Sequence, residues 1–297
     1  MSLKSFAIYG RPLEPSATSL LRRLFEQIGS YGAEVLVHTN FAAHMRQCHG
    51  YEPNIDGLFE HSDDLRRRAQ VMLSLGGDGT YLSAASLAGP AGIPVLGINF
   101  GTLGFLANVA VAEMPQALVQ LMQGHYRVEP RSLVEVRPDG DDLFAPFPYA
   151  LNELTVQKGT ASSMVRIAAY VNGEPLCTYR ADGLIVATPT GSTAYSLGAG
   201  GPIMSPDLSA LVLSPVAPHN LTFRPLVLPD TSELRLEVDS RDRQVMLSLD
   251  SRHFSSPTPL ALSVRRAPFT LGVVCVRGAS FFKSLRGKLL WGADKRD

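Results

Sequence analysis

The stretch Val71 to Leu75 is apolar but for Ser74. It runs straight into Gly76-Gly77-Asp78-Gly79-Thr80 and then into helix-like sequence, Tyr81 to Leu87. A short apolar run bounded by glycine reads as a buried strand. Paired glycines let the backbone turn tightly and let a ligand approach without a side-chain clash. The helix start that follows presents unpaired N–H groups and a positive dipole end, which suit an anion such as phosphate. Strand, turn and helix in this order belong to an open α/β sheet, where ligands bind at the carboxyl ends of strands. Asp78 then stands where it can accept a proton from a hydroxyl, hold a metal ion, or only cap the helix. The turn is not the G-x-G-x-x-G dinucleotide fingerprint. The chain also lacks a Walker P-loop, an H-E-x-x-H and a G-x-S-x-G.

The rest of the first third fits such a sheet. Phe6 to Tyr9 and Val35 to Val37 read as strands, and Ile93 to Ile98 as a further one after Val71 to Leu75. Leu20, Leu21, Leu24, Phe25 and Ile28 share one helical face, and Met114, Ala117, Leu118, Leu121 and Met122 share another. Arg46 to Arg68 is charged and glycine-bearing and reads mostly as mobile connection. Strands alternating with helices predict a parallel sheet covered on both faces.

Near Gly124 the period changes to two. Val134 and Val136 alternate with Glu135 and Arg137. Asn172-Gly173 is a hairpin signal. Leu234, Leu236 and Val238 alternate with charged residues; Val245, Leu247 and Leu249 answer them after a polar turn, and Leu260, Leu262 and Val264 repeat the pattern. This predicts an antiparallel β domain with one face buried. A length of 297 residues fits about two domains. The expected division is residues 1–125, rejoined by the tail 277–297, and residues 126–276.

Composition excludes several classes. Basic and acidic residues number 27 each, which gives no case for a nucleic-acid binder. Cys48, Cys177 and Cys275 are far apart, with no C-x-x-C, and read as reduced thiols. Tyr81 to Ala112 carries no charge, but Pro90, Pro94 and five glycines interrupt it, so it is no membrane span. No signal peptide is visible at the start, and the expectation is a soluble, cytoplasmic protein. From Arg252 to Gly292 there are seven Arg or Lys and no acid. Those cations read as a solvated rim, as phosphate ligands, or as partners of acids across a subunit contact.

A second stretch suits a ligand. Asp182 to Tyr195 reads D-G-L-I-V-A-T-P-T-G-S-T-A-Y, and Gly183 to Pro206 holds no charge. Small residues and hydroxyls can wrap a polar ligand closely, and Tyr195 can pack on a flat ring. Asn152-Glu153 interrupts an alternating strand, and an amide beside a carboxylate can read a base or ribose edge.

These motifs, in this order, resemble the NAD kinase family, bacterial type. The G-G-D-G-T turn, Asn152-Glu153 and Asp182 to Tyr195 carry the likeness. Asn99 to Phe105, Ala217-Pro218-His219 with Arg224-Pro225, and Phe281 to Arg286 extend it over roughly Phe6 to Trp291. The turn alone is not specific, since lipid and sugar kinases carry similar ones. A binder that had lost catalysis would not need Asp78. The resemblance implies a Rossmann-like N-terminal α/β domain followed by an antiparallel β-rich domain. It implies phosphorylation of the 2′-hydroxyl of the adenosine ribose of NAD, giving NADP. ATP or polyphosphate is the donor, with a divalent cation, Mg²⁺, held largely by donor phosphates; no metal ligand is identifiable.

By the same match Asp78 is the general base. Gly76, Gly77, Gly79 and Thr80 face the donor phosphates. Asp78, Gly79, Phe105, Asn152, Glu153, Arg180, Asp182, Thr193, Ala194 and Tyr195 line the NAD site. Arg180 meets the pyrophosphate, balances Asp182, or is a surface cation. The family also implies a homo-oligomer, dimer or tetramer, with Asp182 near the nicotinamide end and supplied by a neighbouring subunit. One departure stands at Asp250-Ser251, where many relatives have glycine after the aspartate, so the local turn is in question.

Overall fold

The computed structural model of the chain describes residues 3–101, 104–140, 142–159 and 164–290. Thr102 and Leu103 of the Asn99–Phe105 loop lie outside the described residues, as do Trp291, Gly292 and the rest of the tail. The chain forms two compact units, Met1–Pro130 with Leu271–Asp297, and Arg131–Thr270.

The first unit contains, in chain order, β1 (Ser5–Gly10), α1 (Thr18–Ser30), β2 (Glu34–His38), α2 (Thr39–His49), β3 (Gly57–Phe59), β4 (Val71–Leu75), α3 (Asp78–Ala91), β5 (Val95–Asn99), β6 (Val109–Ala110) and α4 (Met114–Met122). Its strands pair in parallel in the order β3-β2-β1-β4-β5. Ile8 stands opposite Leu73, and Leu73 opposite Leu96. That register lines up the carboxyl ends of β1, β4 and β5 along one edge.

The sequence alternation becomes two sheet faces. Phe6, Ile8, Leu73, Leu96 and Ile98 join Leu21, Leu24 and Ile28 of α1 and Leu118 and Leu121 of α4 in one core. Burial of each such side chain stabilises by about 2 kcal/mol. The polar stretch read as mobile connection is instead ordered. It holds the end of α2, the strand β3 and a 3-10 turn at Ser62–Leu65. Its side chains cap backbone locally: Val35 N donates to Asp56 Oδ2 at 2.7 Å, and Glu60 N and His61 N donate to Asp64 Oδ2 at 3.0 and 2.9 Å. Three residues of β3 then suffice, because β2 supplies the edge they pair with.

The remaining elements are β7 (Tyr126–Pro138), β8 (Tyr149–Ala150), β9 (Glu153–Lys158), β10 (Val165–Val171), β11 (Glu174–Ala181), β12 (Gly183–Ala187), α5 (Tyr195–Gly198), β13 (Ala210–Val216), β14 (Leu226–Pro229), β15 (Leu234–Ser240), β16 (Gln244–Leu249), β17 (Arg252–Pro257), β18 (Leu260–Val276) and α6 (Phe281–Leu289). The second unit is a sandwich of antiparallel strands. One sheet runs β14-β13-β12-β9-β16-β17; the other holds β11-β10-β15 and the first part of β18, with β7 paired to β18 and β8 to β7. Leu154, Val156, Leu184, Val186, Leu211 and Leu247 of the first sheet meet Val134, Val136, Ile167, Leu236, Val238 and Leu262 of the second. The last part of β18 belongs to the first unit, where Val273 pairs in parallel with Val95 of β5.

Asn172 and Gly173 form the two-residue hairpin turn between β10 and β11, with φ of 52° and 84°. β15 and β16 do not pair with each other. β15 lies between β10 and β18, and β16 between β9 and β17. The polar turn carries the chain from one sheet to the other, so each strand buries its own alternate residues in the sandwich. Glu135 departs from the alternation too: it is buried, and Arg265 Nε and Arg137 Nε donate to it at 2.8 and 3.0 Å. Among the described residues no helix is long and apolar enough to cross a membrane.

Candidate active site

Asp78 is the first residue of α3, after Gly77 as N-cap, at the carboxyl end of β4. Gly76 makes the turn at φ 146°. Its N–H donates to Ile98 O at 3.0 Å, which ties the turn to β5. A Cβ on Gly77 would meet nothing within 4 Å, so the backbone there is open to an incoming group. Beside it, Arg11 follows β1 and donates through Nη2 to Ser83 Oγ at 2.8 Å.

The Asp78 carboxylate is held from one side by a loop. Phe105 N donates to Oδ2 at 2.9 Å, and Leu106 N and Ala107 N donate to Oδ1 at 3.1 and 2.9 Å. Three consecutive N–H groups can converge because Gly104 has no side chain. A Cβ there would overlap Asp78 Oδ1 and lie 2.5 Å from its Cγ. Lys288 of α6 brings its Nζ to 3.5 Å from Oδ2 and to 5.1 Å from the centre of the Phe105 ring. Phe105 is half-buried and also meets Phe281, with ring centres 6.3 Å apart.

The second constellation forms within the other unit. Leu151 N, Asn152 N and Glu153 N donate to the carboxylate of Asp250 at 2.9, 2.7 and 3.3 Å. Arg252 donates to the carbonyls of Phe147 and Tyr149 in the same segment. From the opposite side Thr188 N donates to Asn152 O at 2.8 Å, and Thr188 Oγ1 donates to Leu151 O at 2.6 Å. Gly191 passes so near that a Cβ on it would overlap Asn152 O and lie 2.5 Å from the carbonyl carbon. Asn152 and Glu153 are each 7 % exposed, and Asn152 Oδ1 and Glu153 Oε2 are buried with no hydrogen-bond partner. Burial, and then the charge of Asp250, push the Glu153 carboxyl up to about 8. Burial also pushes the Asp250 carboxyl up.

Asp182 carries an ion pair with Lys158, Nζ to Oδ1 2.8 Å. Arg180 is exposed on β11, so the balancing charge for Asp182 comes from β9 and not from two residues upstream. Thr193 Oγ1 donates to Thr190 O at 3.3 Å, Ala194 is half-buried, and Tyr195 is 41 % exposed. Gln157 Nε2 donates to the Tyr195 hydroxyl at 2.9 Å. Asp250 itself adopts the positive φ, 54°, and Ser251 does not, so the turn forms without glycine after the aspartate. Of the cations in the basic tail, Arg265, Arg266 and Lys288 pair with Glu135, Asp230 and Asp78 of this same chain.

Among the described residues there is no group of three or more His, Cys, Asp or Glu placed to hold a metal. Asp78 is the carboxylate of the turn, and its oxygens are already met by three N–H groups and an ammonium. Among the described residues, those at this turn do not fit a protein-built cage for a divalent ion.

Residues 6–126 match the model of the ATP-NAD kinase N-terminal domain, and residues 151–273 that of the ATP-NAD kinase C-terminal domain. The NAD kinase of Bacteroides fragilis is 42% identical over 291 residues, covering 98% of this chain and 99% of that one. The chain belongs to the ATP-NAD kinase family. The NAD kinase of Porphyromonas gingivalis is 40% identical over 99% of this chain and 100% of that one. Yeast NADH kinase, solved in complex with NADH, superposes with a TM-score of 0.87 at 26% identity, covering 99% of this chain and 89% of that one.

In this member of the ATP-NAD kinase family, the motif residues are held by side chains that no local pattern marks. Lys158, Lys288 and Gln157 gave no local signal, since each acts through a distant partner. Gly104 was within the glycine-bearing loop but had no evident contact. Asp250 stands out in the sequence only through the residue after it, yet its carboxylate holds three N–H groups.

Proposed function

We propose that this chain transfers the terminal phosphoryl group of ATP to the 2′-hydroxyl of the adenosine ribose of NAD, giving NADP and ADP. The observation that carries the reading is the pair of buried, unpartnered oxygens on Asn152 and Glu153 in a chain of this family. An unsatisfied buried oxygen costs about 1–3 kcal/mol, and such atoms persist where a ligand completes them. Adenosine offers the complementary groups, an exocyclic amine and ribose hydroxyls. With its carboxyl pushed up to about 8, Glu153 is neutral at pH 7 and brings an O–H donor beside an acceptor oxygen.

In this reading Asp78 accepts the proton of the 2′-hydroxyl. The 2′-oxygen bonds to the terminal phosphorus, the bond from that phosphorus to the bridging oxygen breaks, and ADP leaves. Gly76, Gly77, Gly79 and Thr80 receive the donor phosphates at the start of α3. Phe105, Thr193, Ala194 and Tyr195 line the adenosine, Arg180 meets the pyrophosphate, and Asp182 stands near the nicotinamide. A divalent ion enters as part of the ATP complex, held by the phosphates. The reading also includes a cytoplasmic homo-oligomer, which light scattering on the purified protein tests.

The deciding experiment is turnover of purified protein with NAD, ATP and Mg²⁺, scoring NADP with an NADP-specific dehydrogenase. Asp78→Asn is expected to lose about 100-fold or more in kcat while still binding NAD. Folded wild-type protein that binds NAD yet makes no NADP or NADPH, from NAD or NADH and from ATP or polyphosphate, would overturn the reading in favour of a non-catalytic binder.

A further inference from the structure

Lys288 reaches Asp78 from the far end of the chain. It sits in the last turn of α6, a helix started by Ser280, whose Oγ accepts Lys283 N at 3.1 Å. Its ammonium is 3.5 Å from Asp78 Oδ2 and 5.1 Å from the Phe105 ring centre. Asp78 Oδ1 already accepts two backbone N–H groups, whereas Oδ2 accepts one and meets the ammonium as a charge at 3.5 Å, longer than a good hydrogen bond. Oδ2 is therefore the oxygen with room for a further proton. A hydroxyl bound to Oδ2 at about 2.7 Å lies within about 6 Å of the Lys288 nitrogen. The ammonium has three N–H groups and pairs with the carboxylate by charge at 3.5 Å. Its side chain is 36% exposed, so its N–H groups are open to an entering group.

Phosphoryl transfer spreads negative charge over the three equatorial oxygens in flight, and the protein's task is to place and neutralise that charge. Asp78 alone adds negative charge at that point. We propose that Lys288 is a further catalytic residue, whose ammonium donates to the phosphoryl oxygens in flight beside the carboxylate that takes the 2′-proton. Lys288 keeps its own protons throughout; the proton of the hydroxyl goes to Asp78 Oδ2, and the bridging oxygen leaves with ADP. This inference rests on the reading of the reaction given above.

The test compares Lys288→Met, which keeps an unbranched apolar stem, with Lys288→Gln and Lys288→Arg. The measurements are kcat, KM for NAD and for ATP, thermal midpoint, and affinity for ADP with aluminium fluoride in the presence of NAD. Aluminium fluoride stands in for the phosphoryl group in flight, so a transition-state contact weakens this complex and spares ground-state binding. Both neutral variants are expected to lose about 100-fold in kcat, with both KM values within about threefold. The aluminium fluoride complex weakens in proportion, and Lys288→Arg recovers most of the rate. Neutral variants within about threefold of wild-type kcat would overturn the inference. So would a loss accompanied by a collapsed thermal midpoint in both and no recovery with arginine, which marks a helix anchor only. Wild-type protein that makes no NADP fails the reaction itself, a result separate from either of these.

Discussion

Asp250 Oδ1 accepts the backbone N–H of Asn152 at 2.7 Å, across 98 positions of sequence. The same carboxylate takes the N–H groups of Leu151 and Glu153, so it fills a nest of three consecutive donors. Two consequences follow for the residues above it. The turn is fixed, while Asn152 Oδ1 and Glu153 Oε2 are left buried without a hydrogen-bond partner. The buried charge of Asp250 also disfavours a second charge on Glu153.

Glu153 sets a pH window. Its folded carboxyl is pushed up to about 8, above the ordinary value of about 4.3. A raised folded pKa favours the folded state fully below the unfolded value, and that contribution is lost as pH rises through about 8. The thermal midpoint of wild type is therefore expected to fall from pH 5 to pH 8 more than that of Glu153→Gln, which stays neutral. KM for NAD is expected to rise above about pH 8 in wild type and to stay flat in the glutamine variant. Parallel profiles for the two proteins would show that Glu153 does not act as a neutral acid.

Gly104 is a steric requirement of Asp78. A Cβ at that position overlaps Asp78 Oδ1, so Gly104→Ala must push the carboxylate off its three N–H donors or distort the loop. A displacement of about 1 Å at a reacting group costs about 100-fold in rate. Gly104→Ala is expected to lose kcat on that scale with little change in KM for NAD. Gly77→Ala meets open space and serves as the control for mere loss of a glycine. That control is expected to raise KM for ATP, because its methyl group projects where donor phosphates approach. Equal kcat for wild type and Gly104→Ala would remove Asp78 from the chemistry.

Local pattern carried far in this chain, and it stopped where contacts became long-range. The faces of α1 and α4 and the strand β15 are legible because each buries one periodic set of residues, and β4 because its short apolar run is buried throughout. The glycine-bearing turn at Asp78 and the hairpin at Asn172-Gly173 were legible because few backbone shapes suit those residues. Glu135 was misread because its partners Arg137 and Arg265 satisfy a buried charge that alternation alone places in water. β3 was missed because its three residues have no periodicity and form only against β2. Lys288 stands 210 residues beyond Asp78 in the numbering, and no spacing rule connects the two.

Gly191 does for Asn152 what Gly104 does for Asp78. Its Cα crosses the Asn152 carbonyl with no room for a methyl group, and Thr188 stitches the same segment through two hydrogen bonds. Gly191→Ala is expected to lower the thermal midpoint by roughly 5 °C, as overpacking in a rigid site does. KM for NAD is expected to rise about tenfold with kcat less affected, since in the proposed reading the displaced groups bind and do not react. Calorimetric titration with NAD checks the binding loss directly. Unchanged NAD affinity in a destabilised variant would separate the stitch from ligand recognition.

The Lys158–Asp182 pair distinguishes charge from scaffold in the second unit. The two side chains are 27% and 39% exposed, at an Nζ to Oδ1 distance of 2.8 Å. A pair so open to water contributes about 0–1 kcal/mol to stability. Lys158→Met is therefore expected to leave the thermal midpoint within about 2 °C of wild type. Its effect falls on Asp182, which loses its cation and, in the proposed reading, meets the dinucleotide with an unbalanced charge. KM for NAD is expected to change several-fold and to become more sensitive to salt, while Lys158→Met with Asp182→Asn recovers part of the loss. If the double variant instead shows the sum of two independent losses, the pair is not acting as one unit toward NAD. A fall of more than 5 °C in Lys158→Met alone would show a structural pair, contrary to its exposure.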